Sequence, residues 1–250
     1  MEAFFFGPTG QQLFAMYHPP TAGDDQVLTV ICPPLFIEYM RTQLALRELA
    51  IFLAARGQHV LRFDYRGTGD SFGDTADFGI SDWIDDISHA VREGRDLTGC
   101  DRVRLIGIRA SALFACQSAT TGSDVERLVL WDPVPDGISY LDALRRMQRT
   151  IVDFHPPLSR VERRETSREY AGHSLSDRMV AELGSLEASV YASVPKSKLH
   201  VVSTSRENTF PVPDVTVDFT SFDCLWEENL TDRMFAKPVL ERLSSCLMLP

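Results

Sequence analysis

The sequence predicts an α/β fold: a mostly parallel central sheet with helices on both faces and a helical cap insertion. Three observations carry that expectation. Apolar runs of strand length recur along the chain, and segments of helical periodicity separate them. The alternation then lapses after Gly137 into charge-rich helical sequence and resumes near the C-terminus. Strands that alternate with helices of this length imply right-handed crossovers and a sheet buried on both sides.

The elements follow in order. "QQLFAMYHPP" alternates apolar and polar residues and ends in Pro-Pro, as a half-exposed edge strand would, whereas "QVLTVICPP" is continuously apolar, as a fully buried strand would be. "RTQLALRELAIFLAARG" places Leu44, Leu46, Leu49, Ile51, Leu53 and Ala54 on one side of a helix closed by Gly57. After the strand "HVLRFDY" comes a glycine-rich loop, "RGTGDSFGD". There Gly67 and Gly69 permit a tight turn, Asp64 and Arg66 can pair, and Asp70 and Ser71 can bond backbone amides. The helix "GISDWIDDISHAVREGRDL" carries the stripe Trp83, Ile84, Ile87 and Val91, and the strand "DRVRLIGI", the helix "SALFACQSATTG" and the strand "ERLVLWDPV" follow. Residues 137–175 are expected to form a helical cap over the strand ends, and "SDRMVAELGSLEASVYAS" a core helix. The strands "KLHVVSTS" and "DVTVDFT" and the helix "AKPVLERLSSCLM" complete one domain over residues 1–250.

Composition narrows the function classes. A hydrophobic fraction of 44% and a charged fraction of 24% are those of an ordinary globule. A net charge of −10 argues against nucleic-acid binding, which needs a basic face. No apolar run approaches the length of about 18 residues that a membrane span needs. Five cysteines without a CxxC pair favour reduced thiols over disulfides or a zinc site, and a cytoplasmic location is expected. The N-terminus has no basic region or long apolar core of a signal peptide, and no cofactor is expected.

The order of elements, the loop "FDYRGTGDSFG" and the strand-turn-helix "LIGIRAS" resemble an α/β-hydrolase of the serine aminopeptidase-like type, over most of the chain. More narrowly, "CPPLFIEYMRT", "VLRFDYRGTGDS" and "LVLWDPVPDGISYLDAL" resemble hydrolase-like proteins encoded beside exosortase and exopolysaccharide systems. The resemblance implies an α/β-hydrolase fold whose nucleophile occupies a strained turn between two small residues, as in G-x-S-x-G. Here Gly107 and Ser111 are the small flanks and the tip is Arg109. With Ser111 at the tip instead, Arg109 and Leu113 would fill the small positions, a sterically poor register. The family also needs a histidine after the last strand. No histidine follows His200, and Cys224, Leu225 and Trp226 stand where it would fall. The nearest carboxylate at the acid position is Glu207. In the oxyanion loop "CPPLF", Pro33 and Pro34 lack N–H groups, which leaves Leu35 and Ala110 as possible backbone donors.

Arg109 therefore has two readings: an internal pair with Asp132, Glu207 or Asp223, or a fork that holds an anion in the former active-site cleft, with Pro34, Leu35, Ala110 and Asp132 around the ligand. The cap arginines Arg145, Arg146, Arg149, Arg160, Arg163, Arg164 and Arg168 alternate with acids. They form either a solvated, salt-bridged face or a basic rim for an anionic ligand or an acyl carrier-type partner. His155, before Pro156 and Pro157, either ends a helix or enters the cleft as an acid or base, and Cys32 is either a core thiol or a nucleophile. The leading functional expectation is a non-hydrolytic protein that binds an anionic small molecule or partner in a biosynthetic system. The alternatives are an ester or thioester hydrolase or acyltransferase with a rearranged set (Ser111, Cys32, His155), and a lyase, isomerase or cyclase that uses Arg109 as electrophile.

Overall fold

Strand residues that alternate between the two faces of one sheet feed two separate cores. The computed structural model describes residues 1–121, 125–154, 169–205, 210–228, 230, 232–234 and 237–248. Its strands are β1 (Glu2–Phe6), β2 (Leu13–His18), β3 (Val27–Cys32), β4 (His59–Phe63), β5 (Arg102–Ile108), β6 (Arg127–Trp131), β7 (Glu169–Tyr170), β8 (His173–Ser174), β9 (Leu199–Ser203) and β10 (Thr216–Phe219). Its helices are α1 (Phe36–Ala54), α2 (Ile80–Thr98), α3 (Ser111–Thr121), α4 (Gly137–Phe154), α5 (Asp177–Gly184), α6 (Ser189–Ala192) and α7 (Lys237–Met248).

Eight strands form one sheet in the order β1-β2-β4-β3-β5-β6-β9-β10. The β1–β2 and β2–β4 pairings are antiparallel and all others parallel. On one face Leu28, Val30, Val103, Leu105, Leu128 and Leu130 pack against α2 and α3 residues such as Trp83, Ile87 and Phe114. On the other, Ile31, Ile106, Ile108, Val129 and Trp131 pack against Leu46, Leu49 and Leu53 of α1 and Val239, Leu243 and Leu247 of α7. The period of two in the strands thus sorts each residue to its face. No helix among the described residues is long and apolar enough to cross a membrane.

Several expected elements shift. The segment "QQLFAMYHPP" is not an edge strand, because the N-terminal "EAFFF" adds β1 outside it. Helix α1 starts at Phe36 rather than Arg41: Leu35 is extended after the two prolines, its carbonyl accepts from the amides of Glu38 and Tyr39, and Phe36, Glu38, Arg41 and Thr42 are buried. Ile51 falls on the solvent side of that helix, 41% exposed. The segment read as one core helix breaks into α5 and α6 after Gly184, where the Leu186 carbonyl accepts from the Gly137 amide. Within the expected cap, residues 169–174 form a hairpin, since Ala171 and Gly172 both take left-handed backbone, as a type I′ turn requires. In the glycine-rich loop, Arg66 pairs with Asp86 at 2.5 Å rather than with Asp64. Asp64 instead accepts from the Tyr39 hydroxyl and from the Asp70 amide. Ser71 does bond a backbone amide, that of Phe14, at 2.9 Å.

One buried histidine gives the fold a pH dependence. His18 on β2 is buried and its Nε2 accepts from Arg62 Nε at 3.3 Å. Burial, followed by the positive charge of Arg62, pulls its pKa from 6.5 down to about 4. The folded chain thus holds this proton less tightly than the unfolded chain, so the contribution is full above pH 6.5 and is lost as pH falls through about 4. Urea titrations across that window are expected to show wild type losing stability faster than His18→Gln, which keeps an acceptor for Arg62 but cannot titrate. Parallel curves for the two proteins would exclude His18 as the group responsible.

Candidate functional site

Three non-glycine residues at the carboxyl ends of neighbouring strands share left-handed backbone: Phe36 after β3 (φ 54°), Arg109 after β5 (φ 54°) and Asp132 after β6 (φ 43°). Such conformations cost of order 1–3 kcal/mol each and persist where the surroundings over-determine them. Ligands of open α/β sheets bind at this edge. Gly107 explains the sharpness of the β5–α3 turn. A Cβ there would stand 2.7 Å from Ala112 Cα and 3.1 Å from Ala115 Cβ, so only glycine lets strand and helix approach this closely.

Arg109 is buried beneath this edge and pairs with Glu38, its Nε donating to Oε1 at 2.9 Å. Its Nη1 donates to the Asp132 backbone carbonyl at 3.2 Å, and the guanidinium lies 5.1 Å from the centre of the Trp226 ring. Glu38 is fully buried and accepts a second bond, 2.9 Å, from the Tyr140 hydroxyl of α4. Burial pushes the Glu38 carboxyl up, against the lowering influence of the Arg109 charge and of both donors. A guanidinium does not lose its proton in proteins, and two donors on one carboxyl suit the carboxylate, so the pair is ionic. The internal pair that one reading expected for Arg109 is present, but with Glu38 rather than with the side chain of Asp132 or Asp223; Glu207 lies outside the described residues. Glu38 was visible in sequence as one acid inside the apolar run "LFIEYM", just beyond a strand end.

Asp132 has a separate set of partners. Its carboxylate accepts from the Thr204 amide at 2.7 Å, the Thr204 hydroxyl at 2.6 Å, the Trp226 indole N–H at 2.8 Å and the Ser203 hydroxyl at 3.4 Å. Trp226 thus stands in the stretch where the resemblance asks for a histidine, and it donates to the carboxylate that ends β6. The stretch is fixed from behind by Arg41, which donates to the carbonyls of Cys224, Leu225, Trp226 and Asp232.

The remaining candidates scatter. Ser111 is fully buried, donates to the Pro33 carbonyl at 2.5 Å and accepts from the Tyr65 hydroxyl at 3.1 Å. Cys32 and Cys116 are core thiols, and burial raises both far above the usual thiol range. Pro34 and Leu35 line a different cavity of about 250 Å³ with Phe36, Tyr65, Trp83 and His173. Ala110 is wholly buried. His155 and Glu207 lie outside the described residues. The cleft that Arg109 reaches, about 920 Å³, is bordered by Arg146, Thr150, Thr204, Asp223, Trp226, Glu227 and Glu228. Of the rim arginines, Arg145 pairs with Asp142 and Arg146 with Glu227, as a solvated face would, while Arg160, Arg163, Arg164 and Arg168 lie outside the described residues.

Removing one member of a buried ion pair strands the other charge. Glu38→Gln is therefore expected to cost about 3–5 kcal/mol. The triple variant Glu38→Leu, Arg109→Met, Tyr140→Phe removes both charges and the hydroxyl that donates to Glu38, and is expected to be more stable than Glu38→Gln. Denaturant titration checks both, and a triple variant as unstable as the single one would show that the cluster itself, not its charge balance, holds the edge together.

No protein-family model matches the sequence, and no curated protein matches it. Solved structures do match over nearly the whole chain. A thermostable carboxyl esterase from Bacillus coagulans is 12% identical with a TM-score of 0.62, covering 98% of this chain and 97% of its own. A soluble variant of the Saccharomyces cerevisiae monoglyceride lipase is 13% identical with a TM-score of 0.63, covering 98% and 93%. An α/β serine hydrolase homologue from Coxiella burnetii is 17% identical with a TM-score of 0.54, covering 98% and 95%. With the mostly parallel sheet and the helices on both of its faces, these likenesses give this chain the α/β-hydrolase fold.

Proposed function

We propose that this chain is a non-hydrolytic α/β-hydrolase-fold protein that binds a small polar molecule in the cleft above Arg109. One observation carries the reading: the turn that presents the nucleophile in the resembled family presents an arginine, and Glu38 and the Asp132 carbonyl hold that arginine in place. A guanidinium cannot attack a carbonyl carbon. The hydrolases among the similar structures favour the rearranged alternative; against it, Ser111 is buried and already both donates and accepts, and Cys32 is buried with a thiol far from ionisation. The charge of the walls narrows the ligand class. Asp223, Glu227 and Glu228 oppose Arg109 and Arg146 in the cleft, and the Arg109 charge is already balanced by Glu38. A purely anionic ligand would meet more carboxylates than cations, so the fitting class is one that carries both an acceptor oxygen and a hydroxyl or ammonium donor.

Labelling with a fluorophosphonate probe and turnover of p-nitrophenyl acetate test the absence of hydrolysis. Signals no higher than those of Ser111→Ala are expected, and labelling that depends on Ser111 would overturn the proposal. Thermal-shift titration tests the ligand class. Amino acids are expected to raise Tm more than the simple carboxylates of matching length, and Thr150→Phe, which puts a ring into one wall of the cleft, is expected to reduce the rise. A larger rise with the simple carboxylates would return the site to an anion-binding role.

A further inference from the structure

Away from the cleft, three side chains from three elements bring together a mixed donor set. His200 on β9, Asp218 on β10 and Cys246 on α7 each offer one ligand atom, and these atoms lie within 4.8 Å of one another. The Cys246 thiol donates to Asp218 Oδ2 at 3.2 Å, so two of the donors are already in contact. We propose that His200, Asp218 and Cys246 form a binding site for a divalent zinc-class ion.

The donor types fit. One thiolate, one imidazole and one carboxylate are all ligands zinc takes, and three protein ligands leave the fourth tetrahedral position to water. Metal–ligand bonds of about 2.0–2.3 Å put tetrahedral neighbours about 3.4–3.6 Å apart, so the cluster closes on an ion with a movement of about 1 Å. Part of the site can make that movement, because His200 and Asp218 are only half-buried. The ion would replace the present proton arrangement: the thiol proton leaves to solvent, and the Asp218 oxygen that now accepts it turns to the metal.

A resident cation borders the site. Arg242 pairs with Asp218 through Oδ1, the oxygen that Cys246 does not contact, and its side chain is half exposed. Arg127, on the neighbouring strand, donates to the Cys246 backbone carbonyl at 2.8 Å. Among the described residues, the charged groups facing the cluster are therefore Arg127 and Arg242, beside the three donors themselves. Metal binding must release the Cys246 proton and place a cation near Arg242, so affinity rises with pH and rises again when Arg242 is neutralised. The structural consequence is local. Strand β10 is the sheet edge and only half-buried, and the ion would tie it to β9 and to the C-terminal helix.

Cobalt(II) serves as the probe because thiolate ligation gives it a distinctive near-ultraviolet charge-transfer band. Titration of the full chain is expected to produce that band and saturate at one equivalent. Cys246→Ser is expected to abolish the band, His200→Gln to weaken binding about ten-fold or more, and Arg242→Gln to tighten it. Because Cys246 is buried, thermal unfolding of each variant identifies loss of fold, and the half-buried His200→Gln carries the test independently. Absence of the band in wild type, or a band of equal strength in both Cys246→Ser and His200→Gln, would overturn the proposal. The outcome is independent of the Arg109 cleft, which shares none of these residues.

Discussion

The carboxyl edge of the sheet is organised around a guanidinium and a carboxylate that leave water together. Glu38 comes from the first turn of α1, Arg109 from the β5–α3 turn and Tyr140 from α4, and they meet in one buried cluster. A buried pair of this kind gains little over apolar packing of the same volume. Its consequence is geometric: the donors and acceptors match only when all three elements hold one relative position. The early start of α1 follows from it, because Glu38 reaches Arg109 from within the helical turn that begins at Phe36.

A second cluster shapes the irregular loop after β10. Arg41 spends its donors on backbone carbonyls of that loop, and Asp132 receives the Trp226 indole from the same loop. Trp226 also lies against Trp131 at 5.6 Å between ring centres, and its face meets Arg109. The described part of this loop has no regular structure of its own and is fixed by polar contacts that reach it from α1 and from the end of β6.

The layered fold was legible because its signals are local. The buried strand β3 read as a continuous apolar run, β5 and β6 as strands of the alternating pattern, and the α2 stripe of Trp83, Ile84, Ile87 and Val91 is buried as its period required. The site was half legible. Arg109 stood out because one residue broke a known pattern, and its need for a carboxylate followed from the cost of burying a charge. Which carboxylate was a matter of three-dimensional proximity between residues far apart in the chain, and no spacing rule encodes it. The breaks at Gly184 and at the Ala171–Gly172 turn were hidden for a related reason: charge-rich sequence of helical period tolerates a turn wherever tertiary bonds, such as Gly137 to Leu186, repay it.

The directions of the hydrogen bonds under the cleft have a consequence of their own. Tyr140 and Arg109 give to Glu38, Trp226 and Thr204 give to Asp132, Tyr65 gives to Ser111, and Ser111 gives to Pro33. Indole and guanidinium can only donate, and a carboxylate can only accept. Among these described residues each run of bonds therefore ends on a carboxylate or a backbone carbonyl, and Ser111 alone of these groups both accepts and donates. The proposed non-hydrolytic role needs no group here that takes a proton and returns it, and the described floor is wired in one direction, as a fixed electrostatic template.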